Sequence, residues 1–250
     1  YGPPGLAANI EGLIGGIHWD RIGSRGPMFD VTELHGSRLK RYRLQAGLEG
    51  HHFLGEETIQ EAVLLEESAF RVRAVTLDHG TPVLAFAYEP ATQFNVRKER
   101  LLERQLEPGP WLNELKECLH AGDEGARISL PDGSQQSVAR LANELILATL
   151  GSKLVYATDF ADTAANRQQL QALAQRAHTL FCEASFLQQE SEQARRTGHL
   201  TTRACGEIAN QAKVQHLIPF HFSRRYEEQP WRIYREIGAV CPQLVIPRQG

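Results

Sequence analysis

Lys153-Leu154-Val155-Tyr156-Ala157-Thr158-Asp159, Thr179-Leu180-Phe181-Cys182-Glu183 and Leu217-Ile218-Pro219-Phe220-His221 are three short apolar runs, each closing on a polar residue capable of chemistry. Their length and content predict strands at Lys153–Thr158, Thr179–Cys182 and Val214–Phe220. Between the first two, Asn166–His178 carries Leu170, Leu173, Ala174 and Ala177 at helical spacing. Thr201–Ala212 and Trp231–Ile237 read as further helices. Strands alternating with helices predict a layered α/β fold. Side chains just beyond strand ends line one rim of a sheet, where the active sites of such folds collect. Asp159, Glu183 and His221 stand there, and His79 joins them behind Val75-Thr76-Leu77.

Working outward, Ala69–Leu77 and Val83–Tyr88 predict two strands joined through Asp78-His79-Gly80-Thr81-Pro82. Residues 1–50 are glycine-rich, with a helix expected over Leu6–Gly15. Arg38–Arg43 reads as a strand with charged outward positions, either a solvated edge or a basic patch. Residues 92–120 change character. Arg97–Arg104 is densely charged and helix-prone, Glu107-Pro108-Gly109-Pro110 breaks it, and Trp111–His120 is helical again, as in an arm projecting from a body. Pro131-Asp132-Gly133 predicts a hairpin-like turn.

Composition bounds the classes. The chain has 250 residues, 27 Lys+Arg against 30 Asp+Glu and a formal charge of −3, which argues against binding nucleic acid through overall charge but leaves room for a local basic arm. No apolar run approaches the ~18 residues of a membrane span, and no basic-then-apolar leader opens the chain. The four cysteines lie far apart with no C-x-x-C, which fits a reducing cytoplasm. The only methionine is Met28, and Tyr1-Gly2-Pro3-Pro4-Gly5 reads as a turn inside a protein, so the expectation is a C-terminal piece of something longer.

His79, Asp159 and His221 offer imidazole nitrogen and carboxylate oxygen, donors compatible with zinc. Each alone has an ordinary explanation: a hydrogen-bonded surface histidine, or an aspartate that forms a turn or caps a helix.

Together, several segments resemble a known family. Asp78-His79-Gly80-Thr81-Pro82, Tyr156-Ala157-Thr158-Asp159, Cys182-Glu183-Ala184-Ser185-Phe186, Gly198-His199-Leu200-Thr201-Thr202 and His221-Phe222-Ser223-Arg224-Arg225-Tyr226 occur in the order and approximate spacing of tRNase Z, the tRNA 3′-processing branch of the metallo-β-lactamase superfamily. Tyr1–Gly5 and Leu106-Glu107-Pro108-Gly109-Pro110-Trp111 resemble that family's Tyr-Gly-Pro segment and its arm. The resemblance implies a metallo-β-lactamase αβ/βα sandwich over residues 1–250, incomplete at its N-terminus, with an RNA-binding arm near 90–120. It implies an endoribonuclease that removes the 3′ trailer of precursor tRNA, hydrolysing a phosphodiester with a metal-activated hydroxide. His79 and His221 would bind one zinc ion each, and Asp159 would bridge them. His199 would donate a proton to the leaving 3′ oxygen, with Glu183 orienting its imidazole and raising its pKa. Thr201, Ser223 and Arg225 would contact phosphate. Arg97, Lys98, Arg100 and Arg104 would track the RNA backbone, although a solvated helix with pairs such as Arg100–Glu103 explains them too. A cytoplasmic homodimer is the further expectation.

The departures are specific. The family's first metal motif, His-x-His-x-Asp-His, lies upstream of its Tyr-Gly-Pro segment, and nothing in this sequence matches it. Cys182 replaces the usual His before the Glu, Thr158 the usual Gly before the Asp, and Leu200 a common Ser. Ala85-Phe86-Ala87-Tyr88 is weaker than the usual Gly-Tyr strand. Two other readings follow: a phosphodiesterase of the same fold with a non-tRNA substrate, or a non-catalytic scaffold or RNA-binding piece.

Overall fold

The structure is a computed structural model describing residues 1–19, 21 and 25–246. It divides into two compact units, Tyr1–Glu89 with Ser152–Gly250, and Pro90–Gly151.

The first unit holds two sheets. The larger is built from β4 (Val63–Glu67), β5 (Phe70–Asp78), β6 (Pro82–Pro90), β11 (Leu154–Ala157), β12 (Thr179–Glu183) and β13 (His216–Phe220), in the order β13-β12-β11-β6-β5-β4. The smaller is β1 (Met28–His35), β2 (Arg38–Gln45) and β3 (His52–Thr58), all antiparallel. β11, β12 and β13 run parallel, with Val155 opposite Leu180 and Leu180 opposite Leu217. Parallel neighbours need crossover connections. α5 (Ala164–Ala174) makes the first, and α6 (Ser191–Thr197) and α7 (Thr202–Gln211) the second.

Strand alternation sorts side chains into layers. On β6, Val83, Ala85 and Ala87 face a core shared with Leu170 and Leu173 of α5, Ile208 of α7, and Ile233 and Ile237 of α8 (Trp231–Gly238). Leu84 and Phe86, on the opposite face, pack with Leu64 and Ala74 against Leu34 and Leu39 of the smaller sheet. That sheet turns Val31 and Leu44 to its far side, against Ala7 and Ile14 of α1 (Leu6–Gly15). Glu33 is 4% exposed there and accepts from the Ala7 amide at 2.8 Å. Helix, sheet, sheet and helix thus form four layers, the αβ/βα order expected.

The reading of the elements differs from the structure in places with visible causes. α5 ends at Ala174 rather than His178, because Gln175 leaves helical geometry (φ −49°, ψ 120°) and Arg176 is left-handed (φ 51°). The Arg176 amide then bonds to Ala212, and Ala177 accepts from Gln215, so those residues tie α5 to the entry of β13 instead of extending the helix. β3 escapes sequence reading because all but one of its seven residues are exposed, leaving no apolar alternation. The four cysteines are free thiols.

The second unit has a core of its own. β7 (Gln93–Val96) pairs with β10 (Ile146–Thr149), and β8 (Arg127–Ser129) with β9 (Gln135–Ser137) around the Pro131-Asp132-Gly133 turn. Leu101 of α2 (Lys98–Glu103), Trp111 and Leu115 of α3 (Trp111–His120), and Leu141 and Leu145 of α4 (Val138–Leu145) enclose Ile128. The Trp111 indole donates to the Glu107 carbonyl at 3.0 Å, which pins the Pro-Gly-Pro bend. The charged Arg97–Arg104 run is therefore one face of a packed body: Leu101 is buried while Lys98 and Arg100 are exposed.

Candidate metal centre

The larger sheet delivers polar side chains beyond the ends of β5, β11, β12 and β13. Asp159 and His221 both have positive φ, 52° and 59°. Neither is glycine, so each spends about 1–2 kcal/mol on a left-handed backbone that turns the chain sharply out of its strand. His221 Nε2 lies 3.1 Å from Asp159 Oδ1, and His199 Nδ1 lies 3.9 Å from the same oxygen. The His199 ring centroid is 4.8 Å from that of His79 and 5.3 Å from that of His221. One donor atom from each of His79, Asp159 and His199 falls within 4.8 Å of the others. The three residues proposed as ligands and the proposed proton donor are thus gathered in one cluster.

Glu183, the last residue of β12, holds the cluster together from beneath. It is fully buried, and its carboxylate accepts four bonds. Oε1 takes the Phe160 amide at 2.8 Å; Oε2 takes Ser185 Oγ at 2.8 Å, His199 Nδ1 at 3.0 Å and the Leu200 amide at 3.2 Å. A buried carboxylate is tolerable only when so supplied with donors. The Glu183 bond raises the His199 pKa above the ordinary 6.5, against an opposing effect of partial burial and with added attraction from Asp159. His79 Nδ1 lies 2.8 Å from the Gly198 carbonyl. Since Glu183 and this carbonyl can only accept, His79 and neutral His199 carry their protons on Nδ1 and present Nε2 lone pairs.

Gly198 is required for that contact. It closes α6 at φ 74°, and a Cβ on it would stand 2.9 Å from His79 Nδ1. Two further site residues were not singled out in the sequence. Ser185 Oγ lies 2.8 Å from Glu183 Oε2 and 2.9 Å from the His221 carbonyl, so one hydroxyl bridges the buried carboxylate and the left-handed turn. Asn166 bonds to the loops carrying His79 and Asp159. Ser185 lies within the Cys182–Phe186 segment quoted above, but its second partner His221, like the partners of Asn166, is brought to it only by the fold.

Thr201 is the N-cap of α7: its Oγ1 accepts from the Ala204 amide at 3.1 Å and donates to Gln188 Oε1 at 2.9 Å. Ser223 begins the turn of residues 224–226, and its amide donates to the Ser185 carbonyl. Arg225 pairs with Glu190 and lies 5.2 Å above the Phe186 ring, whose centroid is 6.2 Å from that of His199. The structure thus carries Arg225 toward the cluster, while the Thr201 hydroxyl is committed to the cap. In the second unit Arg100 pairs with Glu103 and Arg104 with Glu144, beside Arg97 in a cleft of about 350 Å³. Lys98 is exposed.

A divalent metal fits these donors. Imidazole nitrogens with one carboxylate oxygen suit zinc and its neighbours. The Nδ1 bond that fixes the tautomer and orientation of His79 is the usual support of a metal-binding histidine.

Four layers with an imidazole–carboxylate cluster on the strand rim define a layered α/β protein with a metal-compatible centre at the edge of its larger sheet. Sequence relatives narrow this. The ribonuclease Z of Deinococcus radiodurans is 31% identical over 245 residues, 97% of this chain and 72% of that protein. That of Crocosphaera subtropica is 30% identical over 208 residues, 79% of this chain and 60% of that one. The chain belongs to the ribonuclease Z family. It spans between half and three quarters of the length of the relatives it matches. No protein-family model matches it. The solved short form of human tRNase Z superposes with a TM-score of 0.39 at 17% identity, over 66% of this chain and 41% of that one.

Proposed function

We propose that this chain carries catalytic machinery of a zinc-dependent endoribonuclease that removes the 3′ trailer of precursor tRNA. The observation that carries the reading is the convergence of His79, Asp159, His199 and His221 over the buried Glu183. The names of the relatives point to RNA, and the resemblance of the motifs to tRNase Z narrows the substrate to precursor tRNA.

In this reading His79, Asp159 and His221 would hold metal, and Asp159 already lies 3.1 Å from His221 Nε2. When bound, such ions polarise a phosphate and lower the pKa of water toward neutrality. His199 is the proton donor rather than a ligand. The Glu183 bond favours its protonated form, which has no lone pair to ligate and has a proton on Nε2 to give. Glu183 keeps that imidazole from rotating. Arg225, a planar fork of donors held by Glu190 and Phe186, steadies the phosphate. Arg97, Lys98, Arg100 and Arg104 follow the RNA backbone without reading sequence. The protein works as a cytoplasmic homodimer.

The test is cleavage of a 3′-extended precursor tRNA, assayed with zinc and after chelation, alongside a small phosphodiester. Zinc-dependent release of the trailer with a 3′-hydroxyl on the tRNA is the expected result. Hydrolysis of the small diester alone assigns a different substrate, and no zinc-dependent hydrolysis of either overturns the proposal.

A further inference from the structure

Asn166, in the first turn of α5, is 4% exposed and uses its whole side-chain amide on two loops. Oδ1 accepts from the Asp78 amide at 2.9 Å. Nδ2 donates to the Asp78 carbonyl and to the Ala161 carbonyl, both at 2.8 Å. Asp78 immediately precedes His79, and Ala161 lies two residues beyond Asp159. The Ala161 amide also donates to the Asp78 carbonyl at 2.8 Å, so backbone and side chain clasp the same pair of loops. The Asn166 amide itself is taken by the Thr163 hydroxyl at 3.1 Å, an ordinary helix cap.

We propose that Asn166 is a positioning residue that sets the spacing between His79 and Asp159 for metal binding; this rests on the metal reading above. His79 is oriented by Gly198, and Asp159 is aimed by its own left-handed backbone, but neither restraint relates one loop to the other. The Asn166 amide does, with three bonds beside the single Ala161–Asp78 backbone bond. Only an amide meets all three partners, since one side must accept while the other donates twice. Aspartate has the same shape but no donor, and would set a carboxylate oxygen against two carbonyl oxygens. Outer partners of metal ligands are typically worth about 10- to 100-fold in affinity.

Cobalt(II) is titrated into the metal-free protein and followed by visible absorption, for the parent, Asn166→Asp and Thr163→Ala. Asn166→Asp is expected to weaken binding by about 10- to 100-fold and to alter the absorption bands. Thr163→Ala removes the cap of the same helix but not the clasp. It is expected to lower the Tm with cobalt affinity held within about twofold, so loss of helix stability alone does not mimic the effect. Unchanged affinity in a folded Asn166→Asp protein, or an equal loss in both variants, overturns the proposal. Should Asn166→Asp not fold, the parent decides by NMR: the Asn166 Nδ2 protons and the Asp78 amide must shift on zinc addition, and constant positions overturn it. Because the readout is binding, a protein that shows these effects but cleaves no precursor tRNA refutes the proposed substrate and leaves this role standing. A parent that binds no cobalt refutes both.

Discussion

At the scale of single residues, two imidazoles of one cluster have different hydrogen-bond partners, and the proposal gives them different work. His199 is held by a carboxylate and His79 by a carbonyl, and only the carboxylate stabilises an imidazolium strongly. His199→Ala should therefore cut trailer cleavage by about 10²- to 10⁴-fold while zinc content, read by atomic absorption, stays at the parent value. His221→Ala should lose zinc. The reverse pattern would make His199 a ligand and His221 a bystander. Gly198→Ala tests the third contact. It forces a Cβ into a left-handed position facing His79, and should cost about 1–2 kcal/mol in urea denaturation together with metal affinity. A loss of stability with full affinity would mean that the His79 ring tolerates displacement.

At the scale of elements, β6 and β11 explain how a whole unit is inserted into the sheet. Tyr88 pairs with Leu154 across the two antiparallel strands, so the chain leaves the first unit at Glu89 and re-enters at Ser152 on adjacent strands. A short turn can join those ends. Replacing residues 90–151 by such a turn should leave a folded protein that retains zinc, while affinity for precursor tRNA falls by about tenfold or more and loses much of its salt dependence. Unchanged affinity in filter binding would remove the basic face of α2 from the RNA contact. A narrower deletion of residues 94–111 would instead tear Leu101, Leu106 and Trp111 out of the core of that unit.

Glu89 at the end of β6, two arginines of β5 and the lysine before β11 form an acid-sensitive lock. Glu89 accepts from Lys153 at 3.0 Å and from Arg71 at 2.6 Å, with Arg73 at 3.4 Å. Burial alone would raise its pKa; the bonds from Lys153 and Arg71 outweigh burial and hold the carboxyl below its usual 4.5. A carboxylate depressed on folding stabilises the native state above its unfolded pKa, and that contribution fades as pH falls through the folded value. Glu89→Gln should thus lose about 1–3 kcal/mol at pH 7, and its deficit against the parent should shrink below pH 4.5 in urea titrations. An equal deficit at both pH values would mean that packing, not charge, is what the substitution removes.

At the scale of the whole molecule, the sequence by itself determined the alternation of apolar strands and amphipathic helices, and with it the layered α/β plan. Runs such as Leu154–Ala157 and Thr179–Glu183 carry their periodicity locally and needed no partner to be read. The sequence also placed Asp159, Glu183 and His221 at strand ends, because the polar residue that closes an apolar run is a local feature. Tertiary structure decided everything that depends on register and on contacts distant along the chain. The parallel pairing of β11, β12 and β13 brings three strand ends to one rim, and no spacing rule predicts which imidazole meets which carboxylate there. It made Glu183 an acceptor of four donors, drawn from Phe160, Ser185, His199 and Leu200. It turned Asn166, 88 residues from Asp78, into a clasp. Periodicity is a property of neighbours in sequence, whereas a site that binds a metal is a property of neighbours in space.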